Sequence, residues 1–556
     1  MNAKAASNGG LSAFCCSCGF QKAKFDGHFW PHHQNQKPFY MSQPHPNKLN
    51  KAIERLCREA SEAWRRQDFP KSISLLEQAV DKEPSNPSLH LDLARAHGLR
   101  YDYSAVARCI EKALQVSQGR VQILEEAAGI CSTFKNLDMM LGYLERASQK
   151  KGVSIGALIS LADIYVIDNR IDEAAEMVAR AARIDRKDPR VLLKEAVLKR
   201  QRGQINEAES QFRDLLANSA ADVLTRVRAA YALAGILDSA GQYDEAMTAL
   251  LEGKAIQRTQ AAMFAAPLQQ MQKLNQEMAR SITTTILERW RADAVKLQPP
   301  RRITLLAGHP RSGTTLLEQV LDAHSDLISV EETNLIHDEI YRPMARDFPP
   351  GAGIFQMLDS APPSVLCQLR ENYFRCAEMF LRQAIGSHLL VDKNPGLNVM
   401  VPVLVRVFPE TKFLVALRDP RDVVMSCFMQ ALTLTPASSA YLTMGGTVNQ
   451  YANVMDFWQA MLPRMGDQGM QVRYEEMVDD LPTVARSVLG FLGVGFEDDV
   501  LKFYEHARTK RVNSPSQAEV KKPLYRTAVG RWRNYEKYLE PYMSGLEPFL
   551  KELNYR

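Results

Sequence analysis

Alanine recurs through the first half of this chain at a fixed interval: Ala60, Ala94, Ala128, Ala162 and Ala196 are each 34 residues apart. Ala79, Ala113, Ala147 and Ala181 repeat at the same interval in a second register, and Pro84 and Pro189 fall where each unit would end its second helix. Antiparallel helices approach closely only where side chains are small, so alanine is required at the crossing of each hairpin and at each stacking contact. A sixth unit follows after a four-residue slip, with Ala234 and Ala246 echoing Ala196 and Ala208, and the pattern fades near Gln257. The period predicts an all-α solenoid over residues 48–260.

This period resembles that of the tetratricopeptide repeat (TPR). The resemblance implies a superhelix whose concave surface suits a peptide or partner protein; a rigid spacer or a homodimer contact are equally compatible. No convergent acid, base and nucleophile stand out in this half. Residues 261–300 carry Met, Gln and Leu at helical spacing and close on Leu297-Gln-Pro-Pro300, which predicts a helical linker and a domain boundary.

The chain has 556 residues, beyond the roughly 250–300 at which one core stops growing, so more than one domain is expected. No run approaches the ~20 apolar residues of a membrane-spanning helix, and no membrane span is expected. The net charge of +5 is small and interleaved, which disfavours nucleic acid as partner and suits an anionic small substrate. Nine cysteines without an apolar signal segment at Met1 give the expectation of a cytoplasmic protein without a disulfide framework. Cys15, Cys16 and Cys18 with His28, His32, His33 and His45 are zinc-ligand types. A single Cys-x-x-Cys lacks a second pair, however, and residues 1–50 hold five lysines against Asp26 alone. Residues 1–47 therefore read as a disordered tail, with no metal expected.

Past the Pro-Pro the pattern becomes strand and helix, predicting a C-terminal α/β P-loop-like domain with a parallel sheet over 301–556. Arg302-Ile-Thr-Leu-Leu-Ala307 is a strand, Gly308-His-Pro-Arg-Ser-Gly313-Thr314-Thr315 a loop, and Leu316 to Ala323 a helix. Glycines let successive N–H groups and the helix N-terminus face an anion, while Arg311, Ser312, Thr314 and Thr315 add charge and hydroxyls. The spacing Gly308 to Gly313 is that of a Walker A loop, yet Thr314 stands where a kinase or ATPase places lysine. A terminal phosphate with Mg²⁺ needs that lysine, whereas a 5′-phosphosulfate end can be held by arginine, hydroxyls and backbone.

A second strand, Lys412-Phe-Leu-Val-Ala-Leu417, ends in Arg418-Asp-Pro-Arg421-Asp-Val-Val-Met-Ser426. Arg418 and Ser426 could grip a further phosphate. Loop and Arg…Ser segment together resemble the 5′-phosphosulfate and 3′-phosphate elements of the PAPS-dependent sulfotransferases, over about residues 303–540. Lys521-Lys-Pro-Leu-Tyr525-Arg526 and Gly530-Arg-Trp-Arg-Asn-Tyr535 are similar to that family's basic C-terminal segment, which makes Arg526, Arg531 and Arg533 candidates for the nucleotide's phosphates.

The stretch Asp322-Ala-His-Ser-Asp-Leu-Ile-Ser-Val-Glu331-Glu332-Thr333 resembles tyrosylprotein sulfotransferases. That resemblance implies Glu332 as the base, with Glu331 second and His324 and His337 as alternatives. Val391-Asp-Lys393-Asn-Pro matches the same family and implies Lys393 as a cation on the transferring group, beside Arg311. Ser516, or Ser514 close to it, stands for the family's assisting serine. The implied reaction is in-line displacement from PAPS without a metal. A phenol of pKa ~10 meets a carboxylate base only late in the transfer. The implied acceptor is a protein or peptide tyrosine; a glycan, lipid or small metabolite is the alternative, and a TPR scaffold with an inactive domain is the third. Intact Arg311, Glu332, Lys393, Arg418 and Ser426 argue against the last. Segments 343–363 and 429–450 are expected to shape the acceptor pocket.

Overall fold

The computed structural model of the chain describes residues 51–66, 68–297, 299–346, 348–349, 353–509 and 520–555. The tail with its Cys/His cluster, and both Ser514 and Ser516, lie outside the described residues.

Six helical hairpins come first: α1 (Lys51–Arg65) with α2 (Phe69–Lys82), α3 (Pro87–Gly98) with α4 (Tyr103–Val116), α5 (Val121–Thr133) with α6 (Leu137–Ser148), α7 (Ile155–Ile167) with α8 (Ile171–Ile184), α9 (Pro189–Gln201) with α10 (Ile205–Ala217), and α11 (Val223–Ser239) with α12 (Tyr243–Arg258). All nine periodic alanines are at most 1 % exposed, as the close-approach argument requires. Caps repeat with the period too. Asp68, Asp102 and Asn136 each accept a backbone N–H at the start of a second helix, and Ser154, Asp188 and Asp222 do so at the start of a first helix. The four-residue slip is one extra helical turn: α11 starts on period but has 17 residues where α9 has 13. The on-period alanine of α11 is therefore Ala230, and a Cβ on Gly253 of α12 would lie 2.6 Å from the Ala230 Cβ.

Residues 265–292 form α13 (Ala265–Ser281) and α14 (Thr284–Ala292). Their Met271, Leu274, Met278, Leu287 and Trp290 enter the same hydrophobic cluster as one face of the C-terminal sheet. That sheet is parallel, in the order β2-β3-β1-β4-β5, with β1 Ile303–Gly308, β2 Leu327–Glu331, β3 Leu389–Lys393, β4 Lys412–Leu417 and β5 Gly469–Arg473. Strand residues alternate between two clusters, Leu305, Ala307 and Val415 on one face and Leu306, Leu414 and Ala416 on the other, so both faces are covered. The chain leaves β1 toward β2 and leaves β4 toward β5. The crevice at the carboxyl ends of β1 and β4 is therefore a topological switch point, where open α/β sheets bind ligands.

The solenoid meets this domain at two separated places. Near its start, Arg100 pairs with Glu339 and the Tyr101 ring packs edge-on against Phe380. At its end, Asp238 accepts from Tyr535 at 2.7 Å and pairs with Arg531, and Asp244 takes Lys537 and Tyr538. Lys254 of α12 runs into the C-terminal domain, donating to the Tyr441 carbonyl at 2.7 Å beneath the Phe428 ring. No helix among the described residues is long and apolar enough to cross a membrane.

Candidate active site

The loop after β1 is shaped by three consecutive departures from ordinary backbone. Gly308 has φ +137°, and a Cβ there would sit 2.5 Å from the Ala416 carbonyl of β4, so only glycine fits. Arg311 is left-handed at φ 73°, an uncommon state for a side chain of its size. Gly313, φ 94°, then opens α15 (Thr314–Asp322). Ser312, Thr314 and Thr315 are buried within this turn. The helix N-terminus and these hydroxyl residues thus lie at the switch-point crevice, an arrangement that suits an anion. His309 is fully buried, and burial pulls its imidazole down to about 4. Its neutral ring places Nδ1 2.8 Å from the Pro310 carbonyl and props the loop from below.

Arg418 and Ser426 converge on Arg311 from β4 and the helix Pro420–Met429. The Arg418 guanidinium donates to the Arg311 carbonyl at 3.2 Å, and Arg311 Nε donates to Ser426 Oγ at 3.0 Å. The two segments read separately in the sequence are therefore one construction. Arg418 also lies over the Tyr474 ring at 4.8 Å, donates to the Ala528 carbonyl, and keeps a buried Nε without a partner among the described residues.

Lys393, at the end of β3 and paired in register with Leu306 of β1 and Glu331 of β2, is completely buried. Its Nζ donates to Glu331 at 3.0 Å and Glu332 at 2.9 Å. Burial alone would pull the ammonium down, but Glu332, Glu331 and Glu318 outweigh it and push it up to about 12. The Glu332 N–H donates to the Lys393 carbonyl at 2.8 Å, the Asn394 amide donates to the Thr333 carbonyl at 2.9 Å, and Glu332 itself is left-handed at φ 49°. Strain of this kind persists only where surrounding bonds over-determine it. Of the four carboxylate and lysine groups around this point, Glu332 has the most accessible side chain, 29 % exposed against 12 % for Glu331.

The remaining candidates lie elsewhere. His324 is tied to the Gly495 carbonyl at 2.7 Å and accepts from the Asp326 N–H. His337 sits in a π-helical turn, Ile336–Tyr341, 2.9 Å from Asp338. Arg526 is engaged with Asp479, and Arg531 with Asp238 of the solenoid. Trp532 is buried with Arg421 stacked on it at 4.1 Å.

Sequence reading passed over the residue that fastens the C-terminal segment. Asp422 accepts from the Gly530 N–H at 2.7 Å and the Trp532 N–H at 2.9 Å, and lies 3.8 Å from Arg418. Burial pushes its carboxyl up, against the pull of Arg418 and of those two N–H groups. Its i+4 spacing from Arg418 was the available signal. Tyr474, which Gly313 packs against, carried no such signal. Among the described residues no group of three or more His, Cys, Asp or Glu could hold a metal ion.

Residues 304–498 match the family model described as the sulfotransferase family. Over these residues the C-terminal domain is similar to that family. Residues 57–100 and 193–261 match the tetratricopeptide repeat model, ahead of that match in the chain. An uncharacterized protein of Aquifex aeolicus (strain VF5) is 24% identical over 424 residues, 74% of this chain and 52% of that protein. The protein-tyrosine sulfotransferase 1 of Danio rerio is 26% identical over 250 residues, 41% of this chain and 65% of its own length. The chain thus spans between about half and two thirds of the length of these relatives. A solved sulfotransferase domain from the Synechococcus PCC 7002 olefin synthase is 22% identical and aligns over 44% of this chain and 95% of its own, with a TM-score of 0.31.

Proposed function

We propose that the sulfotransferase domain transfers a sulfuryl group from PAPS to an acceptor hydroxyl, in first place a tyrosine of a protein or peptide. The observation that carries this reading is the placement of the Arg311–Arg418–Ser426 junction and the Lys393–Glu332 pair at the carboxyl edges of adjacent strands. PAPS would supply the activated sulfuryl group and leave as its desulfated product, PAP.

The glycine turn, Ser312, Thr314 and Thr315 would hold the phosphosulfate end, and Arg418 with Ser426 the other phosphate. The fit rests on the tight Gly308 and Gly313 turn, packed too closely on Ala416 and Tyr474 for any Cβ, and on the unsatisfied Arg418 Nε. Glu332 accepts the acceptor's proton, and Arg311 and Lys393 offset the charge that builds on the leaving oxygen. Lys393 also donates to the Glu332 side chain and fixes where it sits. The tyrosine acceptor is supported by the Glu331-Glu332-Thr333 stretch and by the names of the relatives, and the repeat solenoid would present or recruit a protein partner.

Calorimetric titration with PAP in metal-free buffer tests the nucleotide site. Saturable binding to the wild-type chain that Arg418→Ala weakens by about tenfold or more, the loss of charge-assisted hydrogen bonds, supports it. No binding to folded wild-type protein would overturn it. With binding in hand, tyrosine peptides compared with glycans as acceptors decide the second half.

A further inference from the structure

The turns inside the hairpins share one conformation. Tyr101, Lys135, Asn169 and Gly203 stand 34 residues apart and are all left-handed, with φ between 57° and 79°. Glycine and asparagine suit this state, whereas a bulky aromatic there is an outlier. Tyr101 occupies it in a hairpin whose turn reaches the Glu332 side of the sulfotransferase domain.

What the tyrosine gains in exchange is contact. Its Oη lies 3.4 Å from the Asn334 N–H, two residues beyond Glu332, and its ring packs edge-on against Phe380 at 5.4 Å. Next to it, the Arg100 guanidinium donates to Glu339 at 2.7 Å, and Glu339 is 3 % exposed on the π-helical turn that follows. Arg382, itself left-handed, covers Tyr103 of the same hairpin at 4.9 Å. The segment Glu331–Glu339 is thus held by Lys393 and Asn394 on its own domain's side and by Arg100 and Tyr101 on the solenoid's side.

We infer that Arg100 and Tyr101 are positioning residues for the turn that carries Glu332, so that the second hairpin of the solenoid is a built part of the acceptor side of the site. This rests on the reading of Glu332 as the base. Neither residue touches the reacting atoms; both act by fixing where the Glu332 carboxylate sits. A misplacement on the order of 1 Å costs up to about 100-fold in rate, so the solenoid sets turnover as well as recruiting partners.

The test uses the full chain with Tyr101→Gly, Arg100→Ala and Arg100→Lys. Glycine is what Gly203 supplies at the matching turn, so Tyr101→Gly keeps the hairpin folded while removing the contact. Hydrogen exchange of residues 332–339 is expected to accelerate by roughly tenfold or more, a local opening, in Tyr101→Gly and Arg100→Ala. PAP affinity and the melting temperature of Tyr101→Gly stay near wild type. With a tyrosine-peptide acceptor, kcat is expected to fall about 10- to 100-fold at unchanged donor KM, and Arg100→Lys recovers part of the loss. Unchanged exchange over 332–339 in both contact-deleting variants would overturn the inference, as would faster exchange with kcat unaltered. A Glu332→Gln variant as active as wild type would instead sink the base reading, leaving the exchange data to report on the contact by themselves.

Discussion

Lys393 and Glu332 hold each other twice, ammonium to carboxylate at 2.9 Å and main-chain carbonyl to N–H at 2.8 Å. The side-chain contact joins the two groups and the main-chain contact sets the place. Glu332→Gln keeps the shape of the side chain but removes the proposed proton acceptor, so turnover should fall about 10²- to 10⁴-fold with PAP affinity unchanged. Steady-state kinetics beside calorimetry check both halves.

Lys393 is the only one of the pair with no solvent contact. Lys393→Met leaves Glu331 and Glu332 facing each other without their cation, a loss of about 3–5 kcal/mol. Adding Glu331→Gln should return a substantial part of it. Thermal melts of the single and double variants measure this, and additive losses would contradict the shared-cation geometry.

The two cradle glycines should respond differently to alanine. At Gly308 the new Cβ meets the Ala416 carbonyl at 2.5 Å, a backbone atom that cannot move aside, and at Gly313 it meets Tyr474 Cδ2 at 2.7 Å. A double-mutant cycle of Gly313→Ala with Tyr474→Ala should show coupling of about 0.5–3 kcal/mol. The same cycle run with Gly308→Ala should show none.

Asp392 gives a pH signature. Its carboxylate accepts from Tyr373 at 2.6 Å in a fully buried site, and burial pushes it up from 3.8 to about 7, against smaller downward pulls from Tyr373 and Lys393. The folded state keeps a proton that the unfolded chain releases, so this group's contribution is complete below the unfolded pKa and is lost as pH rises through the folded one. Asp392→Asn should therefore gain stability relative to wild type between pH 4 and 7 (roughly the window between the two pKa values) and level off above it. A melting temperature of the variant minus that of wild type that stays flat or falls with rising pH would contradict this.

Asp422→Ala removes the acceptor of the Gly530 and Trp532 N–H groups, worth about 1–3 kcal/mol when such groups lose their partner. Tryptic cleavage at Arg526, Arg531 and Arg533 should accelerate while the solenoid stays resistant. Equal cleavage rates in the two proteins would mean that the segment is fastened elsewhere.

Much of the architecture was legible because its causes are local and periodic. Alanine spacing reported helix crossings, and the glycine spacing around Arg311 reported a turn that few other residues can make. The slip at the sixth unit was visible in Ala246, but its form was not: an extra helical turn looks the same in sequence as a longer connection until Ala230 and Gly253 are seen in contact. The Tyr101–Asn334 and Arg531–Asp238 contacts join residues 233 and 293 positions apart, and no pattern within either segment encodes its partner. Tyr474 was hidden for a related reason, since packing beneath a glycine asks only for a flat apolar surface.

An array that touches only itself can gain or lose a unit by duplication without harm, since each unit answers only to its neighbours. This one has two footholds on the same rigid body, at Arg100 and at Asp238, with three hairpins between them. One more hairpin would carry one foothold away from the other, and one fewer would leave it short. Copy number between α3 and α12 is therefore fixed like the jaw opening of a calliper, and the lengthening by which such arrays ordinarily diversify remains open to this chain only on the side of α1.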